Sequence, residues 1–288
     1  MKKVVSFSRR QSVIGYGFAS FFLMGLIVFY IVPLLISIVY TLTFPSGSYA
    51  GLANYIDVFS SRAFQLAAFN TFKFILTGVP LIICISLGFA LILHNSFHGS
   101  SFYRSVFLYP LVVPLASIVM VINLFFARNG IINDLISRVG LTGPDWIHSG
   151  YAFPLLVFIY VWKNCGYNIV LFLAGLNAIP PELYEVARVE GASTIRTFSR
   201  ITLPLLVPSF FFVSVISIVN SFKSFREAYM LGGSIPDESI YMLQHFMNNN
   251  FQNVNYRRLS VAAILVFLLI FLLVFLLYRF WRKRGIRF

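Results

Sequence analysis

A polar segment between two long apolar runs carries six residues whose types and spacing suit contact with another protein rather than catalysis. They follow the pattern Glu-x-Ala, three residues, Gly, nine residues and Ile-x-Leu-Pro, and they are Glu185, Ala187, Gly191, Ile201, Leu203 and Pro204. Glu182 and Glu190 add two more acids, and an acidic element is poorly placed to bind anionic lipid. Docking into a groove of a partner protein is therefore predicted. The alternative is an interfacial amphipathic helix pair that only connects the two runs.

The same segment, 176–202, is predicted to form two short helices. Pro181 suits the first turn of a helix, where the helix dipole favours the negative charge of Glu182. Gly191 stands where that helix would end, because glycine readily adopts the left-handed conformation that closes a helix. The second helix is predicted by apolar residues at helical spacing, namely Ile195, Phe198 and Ile201.

The composition of the chain predicts a membrane protein. Of the 288 residues, 59% are hydrophobic and only 11% are charged, and the mean hydropathy is +0.84. A soluble domain of this length has no use for so much apolar surface, because its exterior must be wetted. Both cysteines, Cys84 and Cys165, fall inside apolar runs, which favours small buried side chains over a disulfide.

Six apolar runs are long enough to cross about 30 Å of hydrocarbon, so an all-α protein with six transmembrane helices is predicted. The runs are 13–40, 66–93, 105–127, 151–175, 203–223 and 259–278. On the side that holds both termini lie 13 Lys and Arg residues, against six on the other side. The positive-inside rule therefore predicts that both termini are cytoplasmic. The net charge of +13 is explained by this excess of basic residues on one side, where they would meet anionic lipid head groups. Nucleic-acid binding is therefore not expected.

Polar residues inside two of these runs are candidates for a solute path, because polar groups in hydrocarbon cost free energy. In the fourth run, Tyr160, Asn164 and Tyr167 share one helical face. In the fifth run, a second face holds Ser217, Asn220, Ser221 and Ser224. Sugars stack on aromatic rings and form hydrogen bonds with amides and hydroxyls. The alternative is hydrogen bonding between helices, worth about 0.6 kcal/mol per group.

With these motifs, the chain resembles the permease subunits of carbohydrate-uptake ABC importers, the family of the maltose, glycerol-phosphate and raffinose-type systems. Two early segments that carry the resemblance are Gly51-Leu52-Ala53-Asn54-Tyr55 and Asn70-Thr71. Further along it is carried by Trp162, Ala174-Gly175-Leu176, Ala178-Ile179-Pro180 and Leu183-Tyr184-Glu185. Val186 and Glu190 stand where the family usually has Ala and Asp, and Gly232–Pro236 lengthens a Gly-Gly-Pro turn. The opening of the chain resembles the first of the family's two permease types.

The resemblance implies a type I importer permease whose loop at 176–202 couples it to ATPase subunits. The implied partners are a second, related permease, two cytoplasmic ATPases and an extracytoplasmic binding protein, and the implied substrate is a mono- or oligosaccharide. No cofactor is expected on this chain, since ATP and magnesium would bind the ATPases. A cytoplasmic tail over 1–12, a six-span domain over 13–278 and a basic tail over 279–288 are expected. The location implied is the cytoplasmic membrane of a bacterium or an archaeon.

Other functional classes lack the residues that they require. The chain has no Gly-x-x-x-x-Gly-Lys-Ser/Thr motif for ATP and no His-Glu-x-x-His motif for a metal, so an enzyme is not expected. All nine acids are expected in loops, which argues against an ion-coupled secondary transporter. A purely structural membrane protein would not need the pattern from Glu185 to Pro204. Lys163, inside the fourth run, is predicted either to meet an acidic sugar or to snorkel toward water.

Overall fold

A computed structural model describes residues 14–17, 19–94 and 100–282, which fold almost entirely into helices. The first seven are α1 (Val32–Leu42), α2 (Ala53–Ser60), α3 (Arg62–His94), α4 (Ser100–Val112), α5 (Leu115–Phe126), α6 (Ile131–Arg138) and α7 (Ala152–Asn177). The others are α8 (Pro181–Val189), α9 (Thr194–Thr197), α10 (Leu203–Leu205), α11 (Val207–Lys223), α12 (Phe225–Gly232), α13 (Leu243–Gln252) and α14 (Tyr256–Arg282). Residues 14–17 and 19–26 are also helical, and there are two π-helical turns, Ile27–Ile31 and Phe198–Thr202, and a 3₁₀ turn, Glu238–Ile240.

Six stretches of the described chain are long and apolar enough to cross a membrane, which confirms the predicted number. They are Ile14–Leu42, Arg62–His94, Leu115–Arg138, Ala152–Asn177, Val207–Gly232 and Tyr256–Arg282. The predicted third run, 105–127, is divided between α4 and α5, because Pro114 adopts an extended backbone and begins a new helix. The predicted tail at 1–12 lies outside the described residues. So do the last six residues of the tail predicted at 279–288, whose first four continue α14.

The fifth stretch extends further than predicted. Its helix ends at Lys223, and after Ser224 the chain continues into α12, which carries Glu227. Glu227 is buried there, so the expectation that all nine acids lie in loops is wrong. The apolar residues that follow Phe225 at helical spacing keep the chain packed against the bundle, and so the acid is held inside it.

Helix α7 is the centre of the bundle and packs on α3, α4 and α11. Its Leu156 and Tyr160 join Phe74 of α3 in one apolar core, whereas its Phe172 belongs to a second core nearer the other end. The contact with α4 depends on Gly166, because a Cβ at this position would overlap the backbone carbonyl of Phe107. By contrast, the apolar side chains of α1 face outward, where lipid would cover them.

The connection between α12 and α14 is fastened to α3 by a pair of buried polar residues. Asn70 Nδ2 donates hydrogen bonds to the backbone carbonyls of Glu238 (2.6 Å) and Tyr241 (3.0 Å). The backbone N–H of Leu243 donates to Thr71 Oγ1 (3.0 Å) at the start of α13. The Asn-Thr pair therefore has a structural role, which is to satisfy backbone groups that leave the regular helices.

The turn between α1 and α2 is held in a similar way. Asn54 Nδ2 donates to the carbonyls of Thr41 (3.0 Å) and Thr43 (3.1 Å), which end α1. Arg257 Nε, at the start of α14, donates to the same Thr43 carbonyl (3.0 Å). Asn54 and Arg257 thus share the carbonyl of Thr43 as acceptor, which joins the end of α1 to the start of the sixth span.

Replacing Asn70 with alanine is expected to destabilise the protein. Asn70→Ala leaves two partly buried carbonyl groups without this donor, at a cost of about 1 kcal/mol or more. Thermal denaturation of the purified protein in detergent measures the loss. Gln65→Ala is the matched control, because Gln65 Nε2 also donates to a carbonyl, that of Phe59, but at an exposed position. Equal effects of the two changes would contradict the role of the Asn70 bonds.

His245 lies buried in α13 among the rings of Phe225, Tyr229 and Tyr241. Its Nδ1 accepts a hydrogen bond from the backbone N–H of Met242 (3.1 Å), an arrangement that requires this nitrogen to be unprotonated. Burial lowers the pKa of His245 from its ordinary 6.5 to about 4. The folded protein therefore holds a neutral imidazole at neutral pH.

The depressed pKa of His245 predicts a loss of stability in acid. Because the folded-state pKa lies below 6.5, the unfolded chain binds the proton more readily between pH 6.5 and 4. The contribution of the neutral ring to stability is complete above about pH 6.5 and declines as the pH falls toward 4. Thermal denaturation across this window should show the decline in the wild type and a smaller one in His245→Gln. Identical pH profiles would refute the assignment.

Candidate functional site

Helix α8 forms where the sequence predicts it, with Pro181 in its first turn. Its end is fixed by Gly191, whose φ of +73° is left-handed. The backbone N–H of Ala192 then donates to the carbonyl of Ala187 (2.9 Å), which closes the helix. The space around Gly191 is open, so a larger residue here would be strained by its backbone conformation and not by a neighbour.

The second half of the segment leads back into the bundle through α9 and a π-helical turn. Ser193 Oγ accepts a hydrogen bond from the backbone N–H of Arg196 and caps α9. In the turn, the backbone N–H of Leu203 bonds the carbonyl of Phe198. Pro204 has no N–H with which to continue the regular α-helical pattern, which accounts for the irregular turn at this point. Ile201 is half-buried, whereas Leu203 and Pro204 are exposed.

Helix α8 is attached to the membrane-spanning helices on its inner side. Ala187 is its buried residue, and Tyr184 Oη lies 3.1 Å from Thr202 Oγ1 at the entrance to the fifth span. Between the helix and the ends of the spans is a cavity of about 700 Å³, whose lining includes Leu91, Leu176 and Tyr184. A displacement of α8 would therefore be transmitted to both adjoining spans.

The outer side of the segment combines exposed acids with exposed apolar side chains. Val189 and Ile195 are 89% and 81% exposed, and Val186 is also exposed. Glu182, Glu185 and Glu190 are exposed beside them. We call this surface the docking face and define it by Glu185, Val186, Val189 and Ile195. Large apolar side chains grouped on an exposed polar helix are typical of a surface that another protein covers.

The structure separates the candidate solute-path residues of the fourth span. Tyr160 and Asn164 are buried, with Tyr160 Oη donating to the carbonyl of Ser217 (2.8 Å) and Asn164 Nδ2 to the carbonyl of Tyr160 (2.9 Å). Tyr167 is 37% exposed. In this conformation Tyr167 is accessible on the shared face, while Tyr160 serves to join α7 to α11.

The fifth-span candidates are also mostly engaged within the chain. Ser217 Oγ accepts from Asn168 Nδ2 (2.9 Å), and Ser221 donates to the carbonyl of Ile218 (2.7 Å) in its own helix. Ser224 Oγ donates in the same way to the carbonyl of Asn220 (3.3 Å). The side chain of Asn220 is half-buried. Tyr167 and Asn220 are thus the members of the two faces that are not buried.

Sequence analysis missed the polar contact that joins α7 to α12. Lys163 Nζ lies 2.5 Å from Glu227 Oε1, and the two side chains are 21% and 6% exposed. The charge of Lys163 is thus paired inside the bundle in this conformation, and a meeting with an acidic sugar stays a prediction. Continued apolar periodicity beyond Lys223 could have placed Glu227 in a helix, but it does not identify Lys163 as its partner.

A family model described as the inner membrane component of binding-protein-dependent transport systems matches residues 82–286. The chain belongs to this family. It is the membrane-spanning permease of an ABC importer, a non-catalytic subunit, and ATP hydrolysis is carried out by separate ATPase subunits. The predicted all-α, six-span permease architecture and the multi-pass membrane location are confirmed.

Relatives of this permease match it over most of their length. The trehalose/maltose transport system permease protein MalF of Thermococcus litoralis is 32% identical, over 90% of both chains. The probable ABC transporter permease protein YesP of Bacillus subtilis is 31% identical, over 93% of this chain and 89% of its own. The sulfoquinovosyl glycerol transport system permease protein SmoG of Agrobacterium fabrum is 31% identical, over 86% and 83%.

Two solved structures share the fold of this permease. One is a chain of a bacterial ABC transporter involved in the import of the acidic polysaccharide alginate, with a TM-score of 0.86 at 19% identity over 97% of this chain and 98% of that one. The other belongs to a bacterial alginate ABC transporter in complex with a periplasmic protein that holds an alginate pentasaccharide. Its TM-score is 0.82 at 18% identity, over 95% and 96%.

The two tyrosines of the fourth span are expected to respond differently to substitution. Tyr160→Phe removes the hydrogen bond to Ser217 and should lower stability by about 1 kcal/mol with little effect on uptake. Tyr167→Ala removes an accessible ring and should reduce uptake about tenfold, as the loss of about 1.4 kcal/mol of solute contact requires. Thermal denaturation and uptake into proteoliposomes distinguish the two effects. Normal uptake in Tyr167→Ala would remove this face from the solute path.

Proposed function

We propose that this permease translocates a mono- or oligosaccharide across the cytoplasmic membrane of a bacterium or an archaeon. It would pair with a second, related permease, bind two ATPase subunits that hold ATP and magnesium, and receive its solute from an extracytoplasmic binding protein. Membership of the permease family, through the match over residues 82–286, is the observation that supports this proposal best. Relatives named for trehalose/maltose and for sulfoquinovosyl glycerol support a sugar-containing solute.

The proposed energy coupling passes through the docking face. A groove on an ATPase subunit would receive α8, with Val186 and Val189 in apolar contact and Glu185 near basic groups. Closure of the ATPase pair would then move α8 as a rigid body, because Gly191 fixes the end of the helix and the Tyr184–Thr202 contact holds its middle. Since α8 lies between α7 and α11 in the chain, both spans would follow. Ala187, Ile201, Leu203 and Pro204 would maintain the shape of the segment and its connection to the fifth span.

The proposed orientation places α8 and both termini in the cytoplasm. It rests on the excess of Lys and Arg on that side of the chain, 13 against six. It also agrees with the docking face, since ATPase subunits that use cellular ATP must meet the permease from the cytoplasmic side. The connection between α12 and α14 would then face the binding protein.

The proposed solute path runs beside the contact of α7 with α11. Tyr167 offers an aromatic ring and Asn220 an amide, the groups that bind sugars by stacking and by hydrogen bonding. The other candidates, Tyr160, Asn164, Ser217, Ser221 and Ser224, would support the wall of this path. Ion-coupled transport is a weaker alternative, because the buried acid Glu227 is already paired with Lys163.

Substitutions in the docking face test the proposed coupling. Glu185→Lys reverses a charge on α8, and Gly191→Asp strains the left-handed turn, so both should abolish ATP-dependent uptake and reduce copurification of the ATPase subunits. The amount of permease in the membrane should remain unchanged. Uptake by membrane vesicles and the ATPase-to-permease ratio after purification are the measurements.

Two controls match these substitutions chemically. Glu182→Lys makes the same charge change on the same helix outside the motif. Gly140→Asp makes the same change at another exposed glycine with a left-handed φ, +79°, after α6. Both controls should retain uptake and the ATPase subunits. Wild-type behaviour of Glu185→Lys and Gly191→Asp would contradict the coupling proposal.

Single cysteines test the orientation in a background without Cys84 and Cys165. Cysteines at Ser48 and Gln252 should react with a membrane-impermeant thiol reagent in intact cells, because these exposed positions would lie outside. A cysteine at Ser199 should react only after the membrane is permeabilised. The reverse labelling pattern would place α8 on the outer side and would make docking to cytoplasmic ATPases impossible.

A further inference from the structure

We propose that the Lys163–Glu227 ion pair is the outer gate of the solute path, formed while the path is closed to the outside and broken when it opens. This inference rests on the proposed function, since it requires that solute passes beside α7. It assigns a role to two residues that neither the family match nor the docking face explains.

The burial of the pair is the first argument. An ion pair inside a bundle loses the solvation of both charges, and an apolar pair of similar size is often as stable or more stable. Both groups lie within stretches that cross the membrane, where charged residues are costly and mark functional positions. Stability of the closed bundle alone therefore does not account for Lys163 and Glu227.

The position of Glu227 is the second argument. Regular helical structure is interrupted at Ser224, so α12 is a separate helix from α11 and is joined to it by a single residue. The body of α12 packs mainly on α5, with Ala228 buried in the core beneath it. The carboxylate of Glu227 is the charged group that ties this short helix to α7. Loss of the ion pair would remove this charged contact and leave α12 held by apolar contacts such as that of Ala228, so that a turn of α12 about Ser224 would meet less resistance.

The position of Lys163 is the third argument. In the proposed orientation, Lys163 lies four residues closer to the outside than Tyr167, one turn or about 6 Å along the same side of α7. The Lys163–Glu227 pair, which connects α7 to α12, would therefore lie between the solute position at Tyr167 and the outside. Solute bound near Tyr167 would be separated from the binding protein until this contact breaks.

The asymmetry between the two partners indicates how the pair would break. Glu227 Oε2 is fully buried and has no hydrogen-bond partner among the described residues, whereas the Lys163 side chain is 21% exposed. The lysine can withdraw into water along its flexible stem, and the carboxylate cannot reach water unless α12 moves. Opening of the pair is thus expected to be coupled to a displacement of α12.

The test measures ATP hydrolysis by the complete importer in proteoliposomes, with and without its binding protein. In the wild type, the binding protein should stimulate hydrolysis, because the gate keeps the resting complex closed. Lys163→Met and Glu227→Gln should each raise hydrolysis in the absence of binding protein about fivefold or more, as expected for the loss of a strongly coupled pair. Lys73→Met is the matched control: Lys73 Nζ lies over the ring of Phe153 (4.2 Å), and this variant should behave as the wild type.

Two double variants distinguish a gate from a need for charge balance. Lys163→Met combined with Glu227→Gln removes both charges, so a gate predicts that unstimulated hydrolysis remains high. Exchange of the two charges, Lys163→Glu with Glu227→Lys, should lower it again toward the wild-type value. Each single variant leaves one charge unpaired, which could prevent assembly of the complex. The neutral double variant has no unpaired charge, so it tests the gate even in that case.

The outcomes separate this inference from the proposed function. If the wild-type complex is not stimulated by a binding protein, the proposed function fails and the gate fails with it. If the wild type is stimulated and the neutral double variant has the same ratio of stimulated to unstimulated hydrolysis, the gate alone is overturned. In that case, charge neutrality would be all that the pair provides.

Discussion

Hydrocarbon offers no water to a polar side chain, so polar side chains within the membrane must bond one another. The contact of α7 with its neighbours holds several such bonds. Tyr160 and Asn168 both bond Ser217, and Lys163 pairs with Glu227. Each partner would be costly to bury alone. The hydrogen bonds therefore fix the register of α7 against α11, because a slip of one turn would leave several polar groups without partners.

Close backbone contacts reinforce this register. Gly166 allows α4 to approach α7, and Gly175 allows the start of α11 to approach, since a Cβ there would overlap the side chain of Ser209. In a membrane, helices associate through such packing and through hydrogen bonds between them, since burial from water contributes little. The result is a central unit of α3, α7 and α11, with α1 on the periphery. A unit of this kind moves as a body more readily than it deforms.

Sequence predicts the parts of this structure that depend on local physical chemistry. Six apolar runs predict six spans, and Pro181 and Gly191 predict the start and end of α8. Tyr160, Asn164 and Tyr167 lie in one helix, as periodicity predicts. Periodicity cannot predict which of the three another helix will cover. That choice depends on α11, which is remote in sequence. Whether these residues line a solute path therefore stays a prediction.

Glu227 shows the same limit in another form. The fifth run was predicted over 203–223, which left Glu227 outside the span. In the structure a second helix, α12, follows Ser224 and buries Glu227, whose carboxylate is paired with Lys163, 64 residues earlier. A buried charge is predictable only with its partner, and pairing across that separation has no local signal. The docking face poses no such difficulty, because its residues lie within one short segment, 185–195, and its turn depends on one glycine.

The chain order of α7, α8 and α11 gives the proposed mechanism its geometry. At one end, α7 and α11 are joined by the segment that contains α8, and toward the other end α7 is joined to α12 by Lys163 and Glu227. Between these two connections, the bonds to Ser217 hold α7 and α11 together. A force applied to α8 therefore cannot be absorbed by sliding of α7 against α11. The junction at Ser224, where regular helical structure is interrupted, lies outside the α7–α11 bonds and is held by local bonds to Asn220 and Ala228. A rigid displacement of the α7–α11 pair would therefore be taken up there, as a rotation of α12 away from Lys163.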